Sequence, residues 1–247
     1  MTALDDLCAV PFHDADVRLR ARILSRFADT ELSVCLVEEP TGDVAAFRTF
    51  DLPGGHRVAL AFDRDERLSQ FLGGPAPYLA LPGRALAQVL TGQETGLLVN
   101  PGLPSEMLLE VSTLAWLSDV LSSQPQETVA QARVGAPDPT VVAVLAQPLA
   151  DRLGDLRGFV SGAALVGAGG TTRSTAAHLL LIAGAPIDAQ PRLAKSLADT
   201  LALLPDVSGG VDIAFTEAAV PDTALRFDLS MPKPDVAVRP KGPPILR

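Results

Sequence analysis

The 247-residue sequence contains few of the residues that build disulfide scaffolds and metal centres: two cysteines, Cys8 and Cys35, and three histidines. Two cysteines do not form a disulfide framework, and no Cys-x-x-Cys or His-x₃-His spacing is present to hold zinc. Basic residues number only 20 against 29 acidic ones, for a net charge of −9. This charge argues against binding to nucleic acid, which needs a basic field. We therefore expect no metal, no other cofactor and no nucleic-acid partner.

Long apolar runs are also missing, since none approaches the roughly 18 residues that cross a bilayer. The acidic start Met1–Asp6 lacks the basic region of a signal peptide. We expect a cytoplasmic protein without membrane insertion. Hydrophobic residues nevertheless make up 47% of the chain, with a mean hydropathy of +0.26, which suffices for a packed core.

The distribution of charge divides the chain in two. Residues 1–121 carry nine basic and 17 acidic residues, whereas residues 122–247 carry 11 and 12. The change coincides with the polar stretch Ser-Ser-Gln-Pro-Gln-Glu at 122–127, which is typical of a linker. We predict an N-terminal domain over residues 1–122, a C-terminal domain over 126–232 and a basic, proline-rich tail over 233–247.

Hydrophobic periodicity predicts an α+β fold with two mixed α/β domains. In the first domain, a helix over 14–28 precedes three strands that we expect to form a meander, at 32–37, 44–50 and 57–62. A helix over 63–72 follows, with Asp63 as its N-cap opposite Glu66. In the second domain the predicted order is β-α-β-β-α-β, the ferredoxin-like pattern. Asp138 is its first helix cap, and residues 167–173 form a Gly/Thr loop.

Three segments resemble the enhanced serine sensitivity protein B (SseB) family. They are Arg57–Phe62 before a helix, Leu97–Gly102 with its Asn-Pro-Gly ending, and Val134–Pro137 before another helix. The resemblance spans most of the chain from about Thr30. It implies no established enzymatic activity and no catalytic residues, and it implies a link to serine sensitivity and, for some members, to secretion systems. The chain departs from the family at its end, where residues 242–247 replace an aromatic Pro-Phe-Tyr segment.

Two segments are candidate binding sites. Thr171, Thr172 and Arg173 follow a glycine-rich stretch, where backbone N–H groups, hydroxyls and a guanidinium could hold a carboxylate. The family's link to serine sensitivity implies an amino-acid-like ligand there, although a plain hairpin loop explains the same residues. Asn100, Pro101 and Gly102 form either a rigid strand exit or a lip that contacts a partner.

Other polar residues have simpler structural explanations. The row Arg18, Arg22 and Arg26 on the first helix is expected to be a solvated face, with docking of an anionic partner as the alternative. His178 and Cys35 lie in apolar strands, which favours a hydrogen-bonded core histidine and an inert buried thiol.

Two classes of function remain. The absence of nucleophile, metal and cofactor motifs favours a non-enzymatic regulatory module that binds another protein or a small amino-acid-like ligand. The alternative is an enzyme with a site assembled from distant residues, most plausibly a metal-dependent hydrolase that uses Asp63, Asp65 and a histidine. The sequence does not predict the oligomeric state.

Overall fold

A computed structural model describes residues 1–40, 45–127, 132–169 and 177–229. The first half contains α1 (Ala3–Leu7), α2 (Val17–Asp29), β1 (Glu31–Cys35), β2 (Thr49–Asp51), β3 (Arg57–Phe62), α3 (Asp65–Leu72), β4 (Tyr78–Pro82), α4 (Gly83–Thr91), β5 (Gly96–Val99), β6 (Met107–Leu109) and α5 (Val111–Ser122). The second half contains β7 (Arg133–Gly135), α6 (Pro139–Asp155), β8 (Gly162–Gly169), β9 (His178–Ala183), α7 (Gln190–Leu203), β10 (Val211–Phe215) and β11 (Leu225–Phe227). The fold is therefore mixed α and β in both halves, as predicted.

The first half is built on a sheet with the strand order β4-β1-β3-β5-β6. The neighbours β3 and β5 are parallel, and the other pairs are antiparallel. Alternate residues of each strand face opposite sides. One face packs on α2, α4 and α5 through residues such as Phe27 and Leu97, and the other packs on α3 through Phe62 and Leu68.

The predicted meander is wrong. Strand β1 pairs directly with β3, and β2 pairs with the same edge of β3 further along, at Thr49↔Ala59. β1 and β2 therefore lie one after the other along the same edge of β3. Residues near their facing ends also pair, at the isolated bridge Leu36↔Phe47. Periodicity predicted β1 and β3, but the predicted strand 44–50 overlaps β2 only at Thr49 and Phe50, and periodicity could not show that β1 and β2 share one neighbour.

The second half does not confirm the ferredoxin-like order. A ferredoxin-like sheet would place β7 between β9 and β10, but β9 pairs directly with β10 in parallel and β7 pairs with β8. β11, which the sequence did not predict, pairs with β8 on the edge opposite β9, the same edge that β7 occupies further along the strand. β8 also extends to Gly169, so its last three residues are strand rather than the predicted loop.

The two sheets share one arrangement of strands. β5-β3-β1-β4 in the first half and β10-β9-β8-β11 in the second both contain a central antiparallel pair, a parallel neighbour and an antiparallel neighbour. In both, one helix precedes the first central strand and another precedes the parallel neighbour. The two halves therefore share a strand arrangement, although the antiparallel edge strand precedes the parallel neighbour in the first half (β4 before β5) and follows it in the second (β11 after β10).

The two halves are in contact through their helices. Helix α7 packs against α2 and α5, and Leu203 of α7 belongs to the core of the first half. Ala21 of α2 belongs in turn to the core of the second half. Among the described residues, no helix combines the length and the apolar character needed to cross a membrane.

Candidate functional site

An open cleft of about 640 Å³ lies at the edge of the second half, beside the predicted ligand loop. Its walls are the turn between β7 and α6, the end of β8 and the start of β9. The predicted contacts Thr171, Thr172 and Arg173 lie outside the described residues, so their role stays a prediction. Gly169, the last described residue before them, lines this cleft.

Gly167 lets the β7–α6 turn approach the sheet. A Cβ at this position would lie 2.4 Å from the carbonyl oxygen of Ala136, closer than real Cβ contacts allow. The glycine therefore brings backbone against backbone, and the cleft wall exposes main-chain groups rather than side chains at this point.

The first turn of α6 also faces this cleft. Asp138 caps the helix, as predicted, by accepting the Thr140 N–H at 2.7 Å, and Pro139 occupies the first turn. The hydrogen bonds from Thr140 lower the pKa of the Asp138 carboxyl below its usual range. The N-terminus of a 17-residue helix is a favourable position for an anion.

His178 joins the helix to the sheet and is the buried, hydrogen-bonded histidine that the sequence predicted. It is 5% exposed, and its Nε2 accepts the backbone N–H of Asp138 at 3.2 Å. Because Nε2 accepts, the neutral ring carries its proton on Nδ1. Nδ1 is buried and has no hydrogen-bond partner among the described residues. His178, which lines the cleft, thus has a buried ring donor without a partner in the described ranges.

Asn100 of the Asn-Pro-Gly segment is fully buried and adopts a left-handed backbone, with φ of 48°. Its side-chain oxygen accepts the Asp63 N–H at 3.1 Å, and its Nδ2 donates to Ser105 Oγ at 2.9 Å. Gly102 is exposed and donates its N–H to Glu106. The turn at the strand exit is present, and partner binding by Asn100, Pro101 and Gly102 stays a prediction.

Asn100 belongs to a buried polar network that the sequence did not predict. Arg67 donates to both carboxylate oxygens of Asp5 and, at 2.9 Å, to Asp63. Ser105 Oγ donates to Asp5 at 2.5 Å, and Thr2 Oγ donates to Asp63 at 2.5 Å. The spacing of Thr2 and Asp5 is that of a capping box, which the structure confirms locally, but no local pattern connects α1 with Arg67.

This network replaces the predicted helix cap at Asp63. Helix α3 begins at Asp65 after Arg64, and no side chain caps it. The Asp63 carboxylate accepts hydrogen bonds from Arg67 and Thr2, whereas Asp65 accepts from Glu66 N–H and Tyr78 Oη. No group of three or more histidine, cysteine, aspartate or glutamate residues in the described ranges could hold a metal ion.

Asp5 gives the network a defined pH dependence. The hydrogen bonds from Arg67 hold the pKa of the Asp5 carboxyl well below its usual range. A carboxyl with a lowered folded-state pKa stabilises the fold above its unfolded pKa of about 3.9, and the stabilisation is lost as pH falls through the folded value. We expect the stability advantage of the wild type over Asp5→Asn to be complete above about pH 5 and to shrink below pH 4. Urea unfolding at a series of pH values measures it, and an advantage that grows on acidification would contradict the pairing.

The arginine row of α2 faces the second half of the chain, so the expectation of a solvated face is wrong. Arg22 and Arg26 pair with Asp151 and Asp155 of α6 at 2.7 and 2.8 Å, and Arg18 donates to the Ala143 carbonyl at 3.1 Å. A cleft of about 450 Å³ between the halves is lined by these pairs. The arginine row therefore binds an acidic surface, as the alternative proposed, but that surface is helix α6 of the same chain.

Both cysteines are buried thiols. Cys35 is fully buried in the sheet, as predicted. Cys8 is 3% exposed at the end of α1, in the core of the first half. Burial raises the pKa of the Cys8 thiol to about 11, so it is protonated and unreactive at neutral pH.

Comparison with known proteins gives one match. The family model of the SseB protein N-terminal domain matches residues 12–116. No curated protein and no solved structure matches the chain. The match begins earlier than the sequence resemblance suggested and covers the sheet of the first half. Helix α1 precedes it, and the likeness of the second half stays a prediction.

Proposed function

The chain belongs to the SseB family, and from that premise we propose that it is a non-enzymatic regulatory module whose second half binds a small amino-acid-like ligand. The site is the cleft between the β7–α6 turn, the end of β8 and the start of β9. The observation that carries the proposal is the buried ring donor of His178, which has no partner in the part of the chain that the structure describes and lies beside the first turn of α6.

The chemistry of the cleft suits a carboxylate. Because Gly167 has no side chain, one wall of the cleft consists of backbone atoms. The first turn of α6 contributes the positive end of a helix dipole. Nδ1–H of His178 is a further donor. The predicted contribution of Arg173 would supply the fork that holds a carboxylate with two hydrogen bonds, and Thr171 and Thr172 would add hydroxyls for an ammonium or a side chain.

Serine and related amino acids are expected to raise the melting temperature of the full chain at millimolar concentration, because a ligand that binds only the folded state stabilises it. The size of the shift should increase with concentration and saturate. Arg173→Ala should abolish the shift. Arg192→Ala, which removes an exposed arginine of α7 in the same half, should leave it intact. Differential scanning fluorimetry measures all three proteins.

Two outcomes would overturn this function. If no proteinogenic amino acid shifts the melting temperature, the second half does not bind such ligands, and a protein partner becomes the favoured alternative. If Arg173→Ala and Arg192→Ala reduce the shift equally, the effect is one of bulk charge rather than of this cleft.

The hydrolase alternative has less support. Asp63 is engaged by Arg67 and Thr2, so a metal ion would have to displace a guanidinium from its carboxylate. Turnover by the metal-loaded protein that disappears in Asp65→Asn, whose side chain is outside the buried network, would nevertheless establish it.

A further inference from the structure

Asp5 of α1 is held by Arg67 and Ser105 from other parts of the first half, and by the Thr2 N–H of its own capping box at 2.9 Å. We propose that Arg67 and Ser105, oriented by Asn100, form a carboxylate-binding site of the N-terminal domain. Asp5 closes this site in cis, and a small free carboxylate enters it when α1 withdraws. The proposal concerns a second site, separate from the cleft beside α6.

The geometry of the pocket is that of carboxylate recognition. Arg67 contacts Asp5 through both terminal nitrogens, one on each carboxylate oxygen, with Nη1 at 3.1 Å from Oδ1. Such a two-pronged contact is specific for planar anions. Ser105 Oγ adds a third hydrogen bond to Oδ1 at 2.5 Å. The side chain of Asp5 is 4% exposed, so these bonds are shielded from water.

Asn100 fixes the direction in which Ser105 donates. Its Nδ2 donates to Ser105 Oγ, which leaves the hydroxyl proton free to point at the carboxylate. Both residues are completely buried. The left-handed backbone of Asn100 therefore has a consequence beyond the strand exit, because it orients a donor toward the position of the anion.

The pocket lies at the place where open α/β sheets commonly bind ligands. Asp63, which anchors Arg67, directly follows β3, and Asn100 directly follows β5. These two strands are parallel and neighbours, so their carboxyl ends meet at one edge of the sheet. Ligands of such sheets bind outside the carboxyl ends of the strands.

The group that fills the pocket comes from outside the family domain. Arg67, Asn100 and Ser105 all lie within residues 12–116, whereas α1 spans Ala3–Leu7 and precedes the match. Helix α1 has only five residues, too few to be stable on its own. Its attachment depends on the Asp5 contacts and on the burial of Leu4 and Cys8. A recognition site built by the domain is therefore occupied by a short appended segment.

Formate rescue of a full-length Asp5→Ala variant tests the site itself. Removing the carboxylate leaves Arg67 and Ser105 without their shared acceptor, and formate is small enough to replace it. We expect sodium formate, compared with sodium chloride at equal ionic strength, to raise the melting temperature of Asp5→Ala by about 3 °C at roughly ten times its dissociation constant. Asp6→Ala, which removes the exposed neighbouring carboxylate, should show no formate effect.

The same experiment contains its own exclusion. Asp5→Ala/Ser105→Ala should bind formate more weakly, and Asp5→Ala/Arg67→Met should not bind it. If the second double variant does not fold, the Ser105 comparison still decides. Absence of formate rescue in Asp5→Ala, or equal rescue in both Asp5→Ala and Asp5→Ala/Ser105→Ala, would overturn the proposed site.

Labelling of Cys8 tests whether α1 withdraws. Cys8 is buried at the end of α1, and Cys35, buried in the sheet, serves as the internal control for global unfolding. Succinate is too large to enter beside α1, so its binding requires displacement of the helix. We expect succinate to increase the rate of Cys8 modification in Asp5→Ala up to a plateau, with Cys35 unchanged. A Cys8 rate independent of succinate would show that the pocket serves Asp5 alone and would overturn the exchange.

Discussion

Arg67→Ala is expected to lower the free energy of unfolding by about 3–5 kcal/mol, the range found when one partner of a buried ion pair is removed. Two carboxylates depend on this guanidinium, since Arg67 donates to Asp5 and to Asp63. The side chains of these aspartates are only 4% and 2% exposed. Without Arg67 both negative charges remain buried with hydroxyl and backbone donors only, and they repel each other.

Chemical denaturation at pH 7 measures this loss, with Arg64→Ala as the matched control. Arg64 is exposed at the start of the same helix, and its removal should change the stability by less than about 0.5 kcal/mol. Arg67→Lys should recover part of the loss, because an ammonium supplies the charge without the planar fork. A loss below about 1 kcal/mol in Arg67→Ala would mean that water reaches the network.

The elements of the fold were accessible to sequence reasoning where a single local rule decides them. Strand β3 has the predicted bounds because the continuous apolar run Val58–Phe62 follows Arg57 and a turn. Helix α6 begins at Asp138 and Pro139 because a capping side chain and a fixed φ act within three residues. His178 was predicted as a core histidine for the same reason, since its strand is apolar on both sides.

The polar network could not be predicted because its members are distant in sequence. Asp63 and Glu66 have the spacing of a helix cap, but Asp63 is held instead by Arg67 and by Thr2, which is 61 residues away. An ion pair to a guanidinium outweighs one backbone hydrogen bond at a helix end. Local sequence rules identify the partners that an aspartate can reach within one helical turn. They give no information on partners that belong to another element.

The arginine row of α2 illustrates the same limit. Charged residues four apart on a helix have the same pattern whether the face meets water or a complementary surface. Asp151 and Asp155 repeat the spacing of Arg22 and Arg26 on α6. That match of two charged rows was present in the sequence and is the signal that could have identified the interface.

Asp199→Ala is expected to weaken the contact of α7 with the first half and to lower the free energy of unfolding by about 2 kcal/mol. Asp199 of α7 is 5% exposed and accepts from Arg84 of α4 at 2.9 Å and from Lys195. Asp199 thus binds two cationic side chains at the contact between the halves. Lys195 also donates to the Leu121 carbonyl at 2.6 Å, which adds a second bond across this contact. The value is below that for Arg67 because the Arg84 side chain is about one-third exposed and water compensates part of the loss.

The variant should also separate the unfolding of the two halves. Trp116 of α5 is the only tryptophan and reports on the first half, whereas far-ultraviolet circular dichroism reports on both. We expect the two signals to coincide in the wild type and in Asp206→Ala, which changes an exposed aspartate of the second half. In Asp199→Ala the fluorescence and dichroism midpoints should differ, since coincident transitions require a shared cooperative unit. Coincident midpoints together with an unchanged stability would mean that Leu203 and Ala21, rather than the ion pairs, couple the halves.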